Sequence, residues 1–283
     1  MSSNQKFKDK VIVVTGAGGT LCSAMAIRLA EQGAKVVAVG RTVSKLDAVI
    51  AQITAAGGTA KAYGCDVTDE KGLQAICDDV VKNWGTIDGL INGAGGNQAE
   101  ATTTVNEFVP EELTGGAEGL IGYFTMNMAK FQEVLVTNSM GTVLPSTVFG
   151  RVMAKNGHGA IINIASMNSY KPLSRVGAYG MAKSAIVSYT QWLATYLAPA
   201  GIRVNAIAPG FFLNDRSRVR LMTPDGGYTP RGQNIINHTP LRRMGEAPEL
   251  LGAMEYLLDD HVAGFVSGIT IPVDGGFLAC SGV

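Results

Sequence analysis

A hydroxyl, a phenol and an ammonium group lie near one another in the second half of the chain. Ser166 follows the apolar, β-branched run 161–164, which predicts a short buried strand. Tyr179 and Lys183 are four residues apart, so a helix would place them on one face. A free phenol has a pKa of ~10. A neighbouring cation and a hydroxyl donor would lower that pKa and so favour proton transfer at neutral pH. The three side chains could therefore perform acid–base chemistry, although a Tyr and a Lys at this spacing also occur by chance in many helices.

A glycine-rich turn near the start of the chain is a second candidate site. The segment Thr15-Gly-Ala-Gly-Gly-Thr-Leu-Cys22 follows the apolar strand 11–15 and precedes a helix with apolar residues on one side. Small residues let the backbone approach a pyrophosphate, and a helix N-terminus supplies N–H donors and a positive dipole. We therefore expect this turn to bind a dinucleotide, whereas a plain glycine-rich turn is the alternative. The expected binding residues are Gly16, Gly18, Gly19, Thr20 and Leu21.

The end of the second predicted strand bears on the choice between the two nicotinamide dinucleotides. An acidic side chain there would accept from the ribose 2′-hydroxyl of NAD, whereas a basic one accommodates the 2′-phosphate of NADP. The chain has Gly40-Arg41 at this position and no acid. The pattern favours NADP, with NAD as the alternative, since an arginine at a strand end is often only solvated.

The positions of these residues require strands and helices that alternate along the chain. Apolar runs of strand length are separated by stretches with apolar residues at helical spacing. This order predicts an α/β fold with a doubly wound parallel sheet, in which the carboxyl ends of the strands form a ligand-binding edge. The predicted strands are 11–15, 35–39, 60–64, 87–91, 161–164, 202–207 and 269–273. We interpret two long segments that interrupt the alternation, 97–130 and 211–246, as an insertion and a substrate loop.

Composition and charge exclude several classes of protein. The 283 residues are 46% hydrophobic and 16% charged and include 36 glycines, as expected for one domain whose strands are buried on both faces. The formal net charge is +0, so no nucleic-acid surface is indicated. No apolar run approaches the ~18 residues that span a bilayer, and no apolar segment precedes the first strand, which indicates a cytoplasmic protein. The four cysteines have no CxxC spacing and the three histidines are scattered, so we expect reduced cysteines and no metal site.

The ordered set of motifs resembles the short-chain dehydrogenase/reductase family over the range 8–276. The motifs are Thr15-Gly16 after the first strand, Asp66-Val67 after the third and Asn92-Gly-Ala-Gly95 after the fourth, followed by Asn138, Ser166, Tyr179 thirteen residues later, Lys183 and Pro209-Gly210. The resemblance implies a single-domain, Rossmann-like parallel sheet of about seven strands. It also implies a nicotinamide-dependent oxidoreductase that interconverts a ketone and a secondary alcohol. The expected assembly is a homo-oligomer, a tetramer or dimer, built on the helices 131–154 and 178–198 and the last strand.

The resemblance assigns roles to individual residues. Tyr179 would be the general acid/base and Ser166 would hold the substrate oxygen. Lys183 would bind the nicotinamide ribose and lower the pKa of Tyr179. Asn138 would hold a water of the proton relay through its backbone carbonyl. The other implied cofactor contacts are Asp66 and Val67 beside the adenine, Asn92, Ala94 and Gly95 along the cofactor, and Pro209 and Gly210 at the nicotinamide.

Two motifs depart from the family pattern. The family's turn reads TGxxxGxG, but Thr20 and Cys22 stand at its second and third glycine positions. Gly18 and Gly19 would supply the needed flexibility instead. After the Pro-Gly pair, Asn214 stands where a threonine commonly contacts the carboxamide, and an Asn side chain can still donate and accept there.

Finer features resemble the sugar-acid branch of the family, described as D-mannonate oxidoreductases or fructuronate reductases. They are the TLCSAMA turn, NGAGGN followed by ATTT, the long insertion, SMNSYKPL, APGFFL, HTPLRRMGE and VDGGF. A linear polyhydroxy carboxylate needs a cation for its acid end and neutral hydrogen-bonding groups for its hydroxyls. The expected substrate residues are Asn97, Asn168, Arg175 and Arg216, with Arg175 favoured as the carboxylate clamp.

Other functions on the same fold remain open. A gluconate 5-dehydrogenase type and a 3-oxoacyl thioester reductase are alternatives within the oxidoreductases. An acyl carrier would require a basic docking patch, whereas the basic residues gather in the loop 216–220. A different class is a non-redox epimerase or dehydratase, which would retain its cofactor without net turnover of it.

Overall fold

Seven parallel strands form the central sheet in this computed structural model, which describes residues 5–115 and 118–281. The strands are β1 (Val11–Thr15), β2 (Lys35–Gly40), β3 (Thr59–Gly64), β4 (Gly89–Asn92), β5 (Gly159–Ile164), β6 (Ile202–Pro209) and β7 (Thr270–Val273). Their order in the sheet is β3-β2-β1-β4-β5-β6-β7. Successive strands are added on one side of β1 up to β3 and on its other side from β4 onward, so the strand order reverses between β1 and β4. This arrangement confirms the predicted doubly wound α/β fold, and ligand sites in such sheets lie outside the carboxyl ends of the strands.

Helices cover both faces of the sheet. They are α1 (Thr20–Glu31), α2 (Val43–Ala55), α3 (Glu70–Trp84), α4 (Met128–Asn156), α5 (Gly177–Leu197), α6 (Asp215–Leu221), α7 (Pro230–Asn237), α8 (Leu251–Leu258) and α9 (Asp260–Ala263). On one face, Met25, Leu46 and Met254 of α1, α2 and α8 belong to one buried apolar cluster. On the other face, side chains of α3, α4 and α5 form a second cluster around Phe149. Within the described residues, no helix is long and apolar enough to cross a membrane.

The four strands β1, β4, β5 and β6 are covered on both faces. Every residue of β1, β4, β5 and β6 is buried. Alternate residues of β1 belong to the two different clusters, with Ile12 on one face and Val13 on the other. This burial on both faces is the physical reason why these four strands are mainly apolar in the sequence.

The insertion between β4 and α4 contains two short 3-10 turns, Ala99–Ala101 and Pro110–Leu113. Its fold depends on a buried carboxylate, since Glu112 is 5% exposed. The two Glu112 oxygens accept from the backbone N–H groups of Val109 and Phe124, at 3.4 and 3.3 Å. A side chain at Gly122 would collide with the Glu112 carboxyl group, so the close approach requires glycine there.

The segment predicted as a loop, 211–246, contains the helices α6 and α7 and an apolar cluster of its own. Leu221, Ile235, Ile236 and Met244 are buried together in that cluster. The helix α7 begins at Pro230 after Thr229, whose hydroxyl accepts from the Gly232 N–H at 3.2 Å. The sequence analysis did not predict these two helices, because short helices separated by polar turns do not show a long apolar periodicity.

Candidate active site

The predicted catalytic side chains meet at the carboxyl edge of the sheet. Ser166 lies two residues beyond the end of β5, and Tyr179 and Lys183 lie in the first two turns of α5. The tyrosine ring packs with Ala101 of the insertion and Val134 of α4. Three separate parts of the chain therefore hold the phenol, which restricts it to one position beside Ser166.

Burial controls the acidity of Tyr179. Removal from water raises the pKa of the Tyr179 phenol above its ordinary value, while a side-chain hydrogen bond with Ser166 acts in the opposite direction. The Ser166 hydroxyl also accepts from the Asn168 N–H at 3.2 Å, which fixes its orientation. Because its pKa is raised, the phenol carries its proton at neutral pH and can donate it to a substrate oxygen.

Lys183 lies under the phenol and is almost completely buried, at 4% exposure. Its Nζ donates to the Ile164 carbonyl at 2.6 Å and lies 5.6 Å from the centroid of the Tyr179 ring. Burial lowers the pKa of Lys183 to about 8, and the nearby Cys22 acts weakly in the opposite direction. The ammonium group is thus close to the Tyr179 phenol at a position where its charge is costly, as expected for a functional group rather than a surface lysine.

Asn138 joins α4 to the turn that follows β4. Its side-chain amide donates to the Gly96 carbonyl at 2.8 Å and accepts from the Gly96 N–H at 3.1 Å. Its backbone carbonyl, the expected water ligand, accepts from the Thr142 hydroxyl at 3.0 Å. The role of this carbonyl as a water ligand stays a prediction.

The glycine-rich turn has the shape that a dinucleotide pyrophosphate requires. Gly16 has φ +68°, and a side chain there would lie 2.8 Å from the backbone of Gly93 and Ala94. The next helix begins at Thr20 with Gly19 as its N-cap, and no side chain caps its N–H groups. These groups face the carboxyl edge, where an anionic phosphate can accept from them. Leu21 is half-buried at the start of the same helix.

The cysteine at the third glycine position is accommodated by a glycine far along the chain. Cys22 is 5% exposed, and its thiol occupies the space that a side chain at Gly93 would need. Burial raises the pKa of the Cys22 thiol to about 12, so it remains protonated. The expected flexibility at Gly18 and Gly19 is not used, because neither has a positive φ. Gly18 instead allows close contact with Lys45, whose Cβ would lie 2.9 Å from an added Cβ.

The predicted adenosine end of the site contains one acid and one base. The Asp66 carboxylate accepts from the Thr68 N–H and hydroxyl at 2.9 and 2.7 Å. Burial acts to raise the pKa of Asp66, but these hydrogen bonds and the charge of Arg41 hold it below its ordinary value. The guanidinium of Arg41 is 3.8 Å from Asp66, and its side chain is 72% exposed. Val67 is buried against Gly141 of α4.

Close packing at the ends of β4 and β6 completes the predicted cofactor groove. Ala94 donates its N–H to the Thr15 hydroxyl at 3.2 Å, and the buried Asn92 donates to Asn163 at 2.9 Å. A side chain at Gly95 would collide with Asn138. Pro209 ends β6, and a side chain at Gly210 would lie 2.6 Å from the Asp274 backbone.

Asn214 has a role in the structure that the sequence pattern did not indicate. It caps α6, where its side-chain oxygen accepts from the Ser217 N–H at 2.9 Å. In return, the Ser217 hydroxyl accepts from the Asn214 N–H at 2.8 Å. The side-chain oxygen of Asn214 is therefore held by the cap of α6, while its amide N–H groups can donate to a ligand.

The predicted substrate residues differ in their surroundings. Asn168 is 2% exposed, and its oxygen accepts from the Leu173 N–H at 2.8 Å, so it holds its own loop. Asn97 donates to the Thr102 hydroxyl at 2.8 Å. Each amide retains one buried polar atom without a hydrogen bond in the described part of the protein, Nδ2 of Asn168 and Oδ1 of Asn97. The side chain of Arg216 lies outside the described residues.

Arg175 is held at the entrance to α5 by the insertion. Its carbonyl accepts from the Thr103 N–H at 3.0 Å, and its Nε donates to the Asn106 side chain at 2.7 Å. The role of Asn106 was not predicted, because nothing in its sequence surroundings indicates a partner 69 residues away.

Comparison with known proteins identifies the family. Residues 10–221 match the short chain dehydrogenase family. The chain belongs to the short-chain dehydrogenase family. This short-chain dehydrogenase is 45% identical over 280 residues to UxuB of Bacillus subtilis (strain 168), an uncharacterized oxidoreductase, with 99% of each chain covered.

Two solved structures resemble this short-chain dehydrogenase over nearly its whole length. One is a Haemophilus influenza protein with bound NAD, provisionally assigned as a D-mannonate oxidoreductase, at 40% identity and a TM-score of 0.91. The comparison covers 98% of this chain and 97% of that one. The other is NAD+-bound xylitol dehydrogenase, at 32% identity and a TM-score of 0.81, with 96% and 100% covered. These findings confirm the resemblance predicted from the motifs, and the protein is an oxidoreductase enzyme.

Proposed function

We propose that this enzyme interconverts a ketone and a secondary alcohol on a small sugar acid of the mannonate/fructuronate type, with a nicotinamide dinucleotide as hydride carrier. The observation that carries the proposal is the meeting of Ser166, Tyr179 and Lys183 at the carboxyl end of β5. Arg175, four residues before Tyr179, is held at the entrance to α5 by hydrogen bonds with Thr103 and Asn106 of the insertion. Together they provide a proton donor for a carbonyl oxygen and positive charge for an acid group.

The residues of the chain define one order of events for reduction. Ser166 holds the substrate carbonyl oxygen beside the phenol of Tyr179, which carries its proton because burial raises its pKa. Tyr179 donates that proton to the oxygen as it becomes an alkoxide. The nearby Lys183 stabilises the phenolate that remains. The bound dinucleotide supplies the hydride, and in oxidation each residue acts in reverse.

The glycine positions fit a dinucleotide at this edge of the sheet. The backbone approaches too closely for side chains at Gly16 and Gly95, and the first turn of α1 is left uncapped for a pyrophosphate. For the adenosine end we propose NADP(H), because Gly40-Arg41 offers a guanidinium and no carboxylate at the end of β2. NAD(H) is the alternative, and both solved relatives described above contain NAD.

Competing substrates within the family differ in charge and length. A gluconate 5-dehydrogenase type shares the acid group, whereas a 3-oxoacyl thioester reductase needs a long apolar groove. The insertion packs Ala101 directly beside Tyr179, which favours a short substrate over an acyl chain. A non-redox epimerase or dehydratase would bind the same cofactor without net change in its absorbance.

The deciding experiment is a substrate panel read at 340 nm with both NADH and NADPH. We expect D-fructuronate to be reduced and D-mannonate to be oxidised more efficiently than fructose, mannitol or a 3-oxoacyl thioester. We expect NADPH to be preferred, and Arg41→Ala to weaken NADPH more than NADH. Faster turnover of a neutral ketose or a thioester would refute the substrate, and a preference for NADH would refute the cofactor assignment. Conversion of a sugar acid without any change in absorbance would identify the non-redox class.

The catalytic assignment has a separate test. Tyr179→Phe keeps the ring packing against Ala101 and Val134 but removes the transferable proton. Turnover should fall by at least about 10²-fold, the lower end of acid–base contributions, while cofactor still binds. A variant with near-normal turnover would contradict the role of Tyr179.

The assembly is proposed to be a homotetramer or dimer in the cytoplasm. Trp192 and Tyr196 of α5 are 57% and 68% exposed and stack on each other, so an apolar surface is available on that helix. Four free cysteines suit a reducing compartment. Sedimentation at several protein concentrations tests the oligomer, and a monomer would refute it.

A further inference from the structure

We propose that Ser169 and Ser184 are positioning residues, which hold Ser166 at a fixed distance from Tyr179. They fasten the 3-10 turn Met167–Ser169 to α5 through two side-chain hydrogen bonds, which we call the serine clasp. The inference deepens the proposed function and rests on it in one respect, because it takes Tyr179 as the proton donor and Ser166 as its partner at the substrate oxygen.

Two hydrogen bonds of opposite direction form the serine clasp. The Ser169 hydroxyl donates to the Lys183 carbonyl at 2.7 Å, and the Ser184 hydroxyl donates to the Ser169 carbonyl at 3.0 Å. The Ser184 hydroxyl is also 3.0 Å from the Gly180 carbonyl of its own helix, so its one proton is shared between two acceptors. Ser169 is three residues after Ser166, and Ser184 follows Lys183 directly. The clasp therefore joins the chain on either side of the predicted catalytic residues.

The turn transmits the position of Ser169 to Ser166. The Ser169 N–H donates to the Ser166 carbonyl at 2.9 Å, and the Asn168 N–H donates to the Ser166 hydroxyl at 3.2 Å. Met167 and Asn168, which lie between the two serines, are buried. The four residues therefore form one closed unit, in which a displacement of Ser169 changes the direction of the Ser166 hydroxyl.

The start of α5 contacts the same unit directly. A Cβ added at Gly180, the residue after Tyr179, would lie 3.2 Å from the side-chain oxygen of Asn168. One turn later, the Lys183 ammonium group donates to the carbonyl of Ile164 at the end of β5, at 2.6 Å. The clasp is the next contact along the helix. The first two turns of α5 are thus joined to the end of β5 and to the turn that follows it at three successive levels.

The clasp differs from the other two contacts in its exposure. Ser169 is half-buried and Ser184 is exposed, so apolar packing contributes little here and the hydrogen bonds determine the distance. A helical carbonyl such as that of Lys183 has two lone pairs, of which the helix uses one. The carbonyl therefore keeps a partner when the Ser169 hydroxyl is removed. We expect loss of the clasp to change the geometry of the site while the fold is retained.

The kinetic test compares Ser169→Ala and Ser184→Ala with Thr195→Val, a control that removes a hydroxyl bonded within α5, 2.9 Å from the Gln191 and Trp192 carbonyls. The substrate is D-mannonate, or whichever substrate the panel prefers. In Ser169→Ala, kcat should fall by about 10- to 100-fold, with KM and dinucleotide affinity changed less than about threefold, since misplacement by about 1 Å costs up to about 10²-fold in rate. The loss should be smaller in Ser184→Ala, whose proton is shared.

Two further variants complete the kinetic test. Ser169→Thr keeps the hydroxyl and should retain most of the activity, and Thr195→Val should leave kcat unchanged. A KM that rises at constant kcat in Ser169→Ala, or an equal loss of kcat in Thr195→Val, would refute the positioning role.

The pH profile separates positioning from a general loss of structure. A side-chain hydrogen bond with Ser166 lowers the pKa of Tyr179, against the effect of burial. In Ser169→Ala this bond should weaken, so the increase of kcat with pH in the oxidation direction should move upward by at least about half a pH unit. Lys183, the charged group 5.6 Å from the ring, is unchanged in the variant, and the neighbours of Tyr179 in the insertion and α4 are apolar. A lower kcat with an unchanged pH profile would refute the proposal.

Hydrogen exchange on the full-length protein tests the clasp without turnover. Peptides over 166–173 contain two amides that donate to side chains of this segment, those of Asn168 and Leu173. Both should exchange faster in the two alanine variants than in wild type or the control variant. Unchanged exchange, or faster exchange with unchanged kcat, would refute the positioning role and leave the proposed function intact. Normal turnover in Tyr179→Phe would instead refute the catalytic role on which both proposals rest.

Discussion

A methyl group at position 93 should destabilise the protein through one identified contact, the thiol of Cys22. A Cβ built on Gly93 overlaps the Cys22 sulfur, lies 3.0 Å from the Thr15 carbonyl and is 3.6 Å from the Cys22 Cβ. The sulfur cannot move away easily, because Cys22 is 5% exposed in the core beneath α1. Gly93→Ala is therefore an overpacking substitution whose main obstacle is a single atom.

The expected magnitudes follow from these contacts. Overpacking of a dense core costs about 1–3 kcal/mol, so Gly93→Ala should lower the free energy of unfolding by that amount. Cys22→Ala removes the sulfur alone and should cost about 1 kcal/mol, comparable to one buried methylene group. In the double variant the overlap is gone and only the 3.0 Å contact with Thr15 remains. The double variant should therefore be at least as stable as Gly93→Ala, with a coupling energy of about 1–2 kcal/mol.

Urea unfolding of the four proteins, followed by tryptophan fluorescence and far-UV circular dichroism, measures this coupling. Gly252→Ala is the control, since an added Cβ at that position of α8 meets nothing within 4 Å and alanine favours a helix. It should leave stability unchanged or raise it by up to about 1 kcal/mol. Additive losses in the double variant, within about 0.5 kcal/mol, would show that Cys22 is not the obstacle and would refute the reasoning.

Two further substitutions test other contacts. Burial lowers the pKa of Lys183 from 10.5 to about 8. The buried charge therefore lowers the free energy of unfolding by its full amount below pH 8, and this loss disappears as the pH rises toward 10.5. Lys183→Met should therefore be more stable than wild type at pH 7, and this gain should fall by about 3 kcal/mol between pH 8 and 10.5. Urea unfolding of both proteins at several pH values measures the difference in the free energy of unfolding. A difference that does not change with pH would contradict the prediction. Gly122→Ala should loosen the insertion by displacing Glu112, which is seen as faster hydrogen exchange at Val109 and Phe124 with little change in global stability. Unchanged exchange at both amides would show that Glu112 does not hold this segment.

The sequence by itself determined the order of the elements and the place of the three predicted catalytic residues. Strands buried on both faces appear as apolar runs, and helices with one covered face show apolar residues three and four apart, so both patterns are local. A parallel α/β sheet brings the ends of those strands to one edge. The position of Ser166, Tyr179 and Lys183 therefore followed from the positions of β5 and α5 along the chain.

Only the tertiary structure decided which distant residues occupy the same space. The thiol of Cys22 fills the position of a side chain at Gly93, and Asn106 holds Arg175 across 69 residues of chain. These relations depend on packing between segments rather than on a repeat within one segment. No periodicity in the sequence records them, because periodicity reflects which face of an element is buried and not which neighbour covers it.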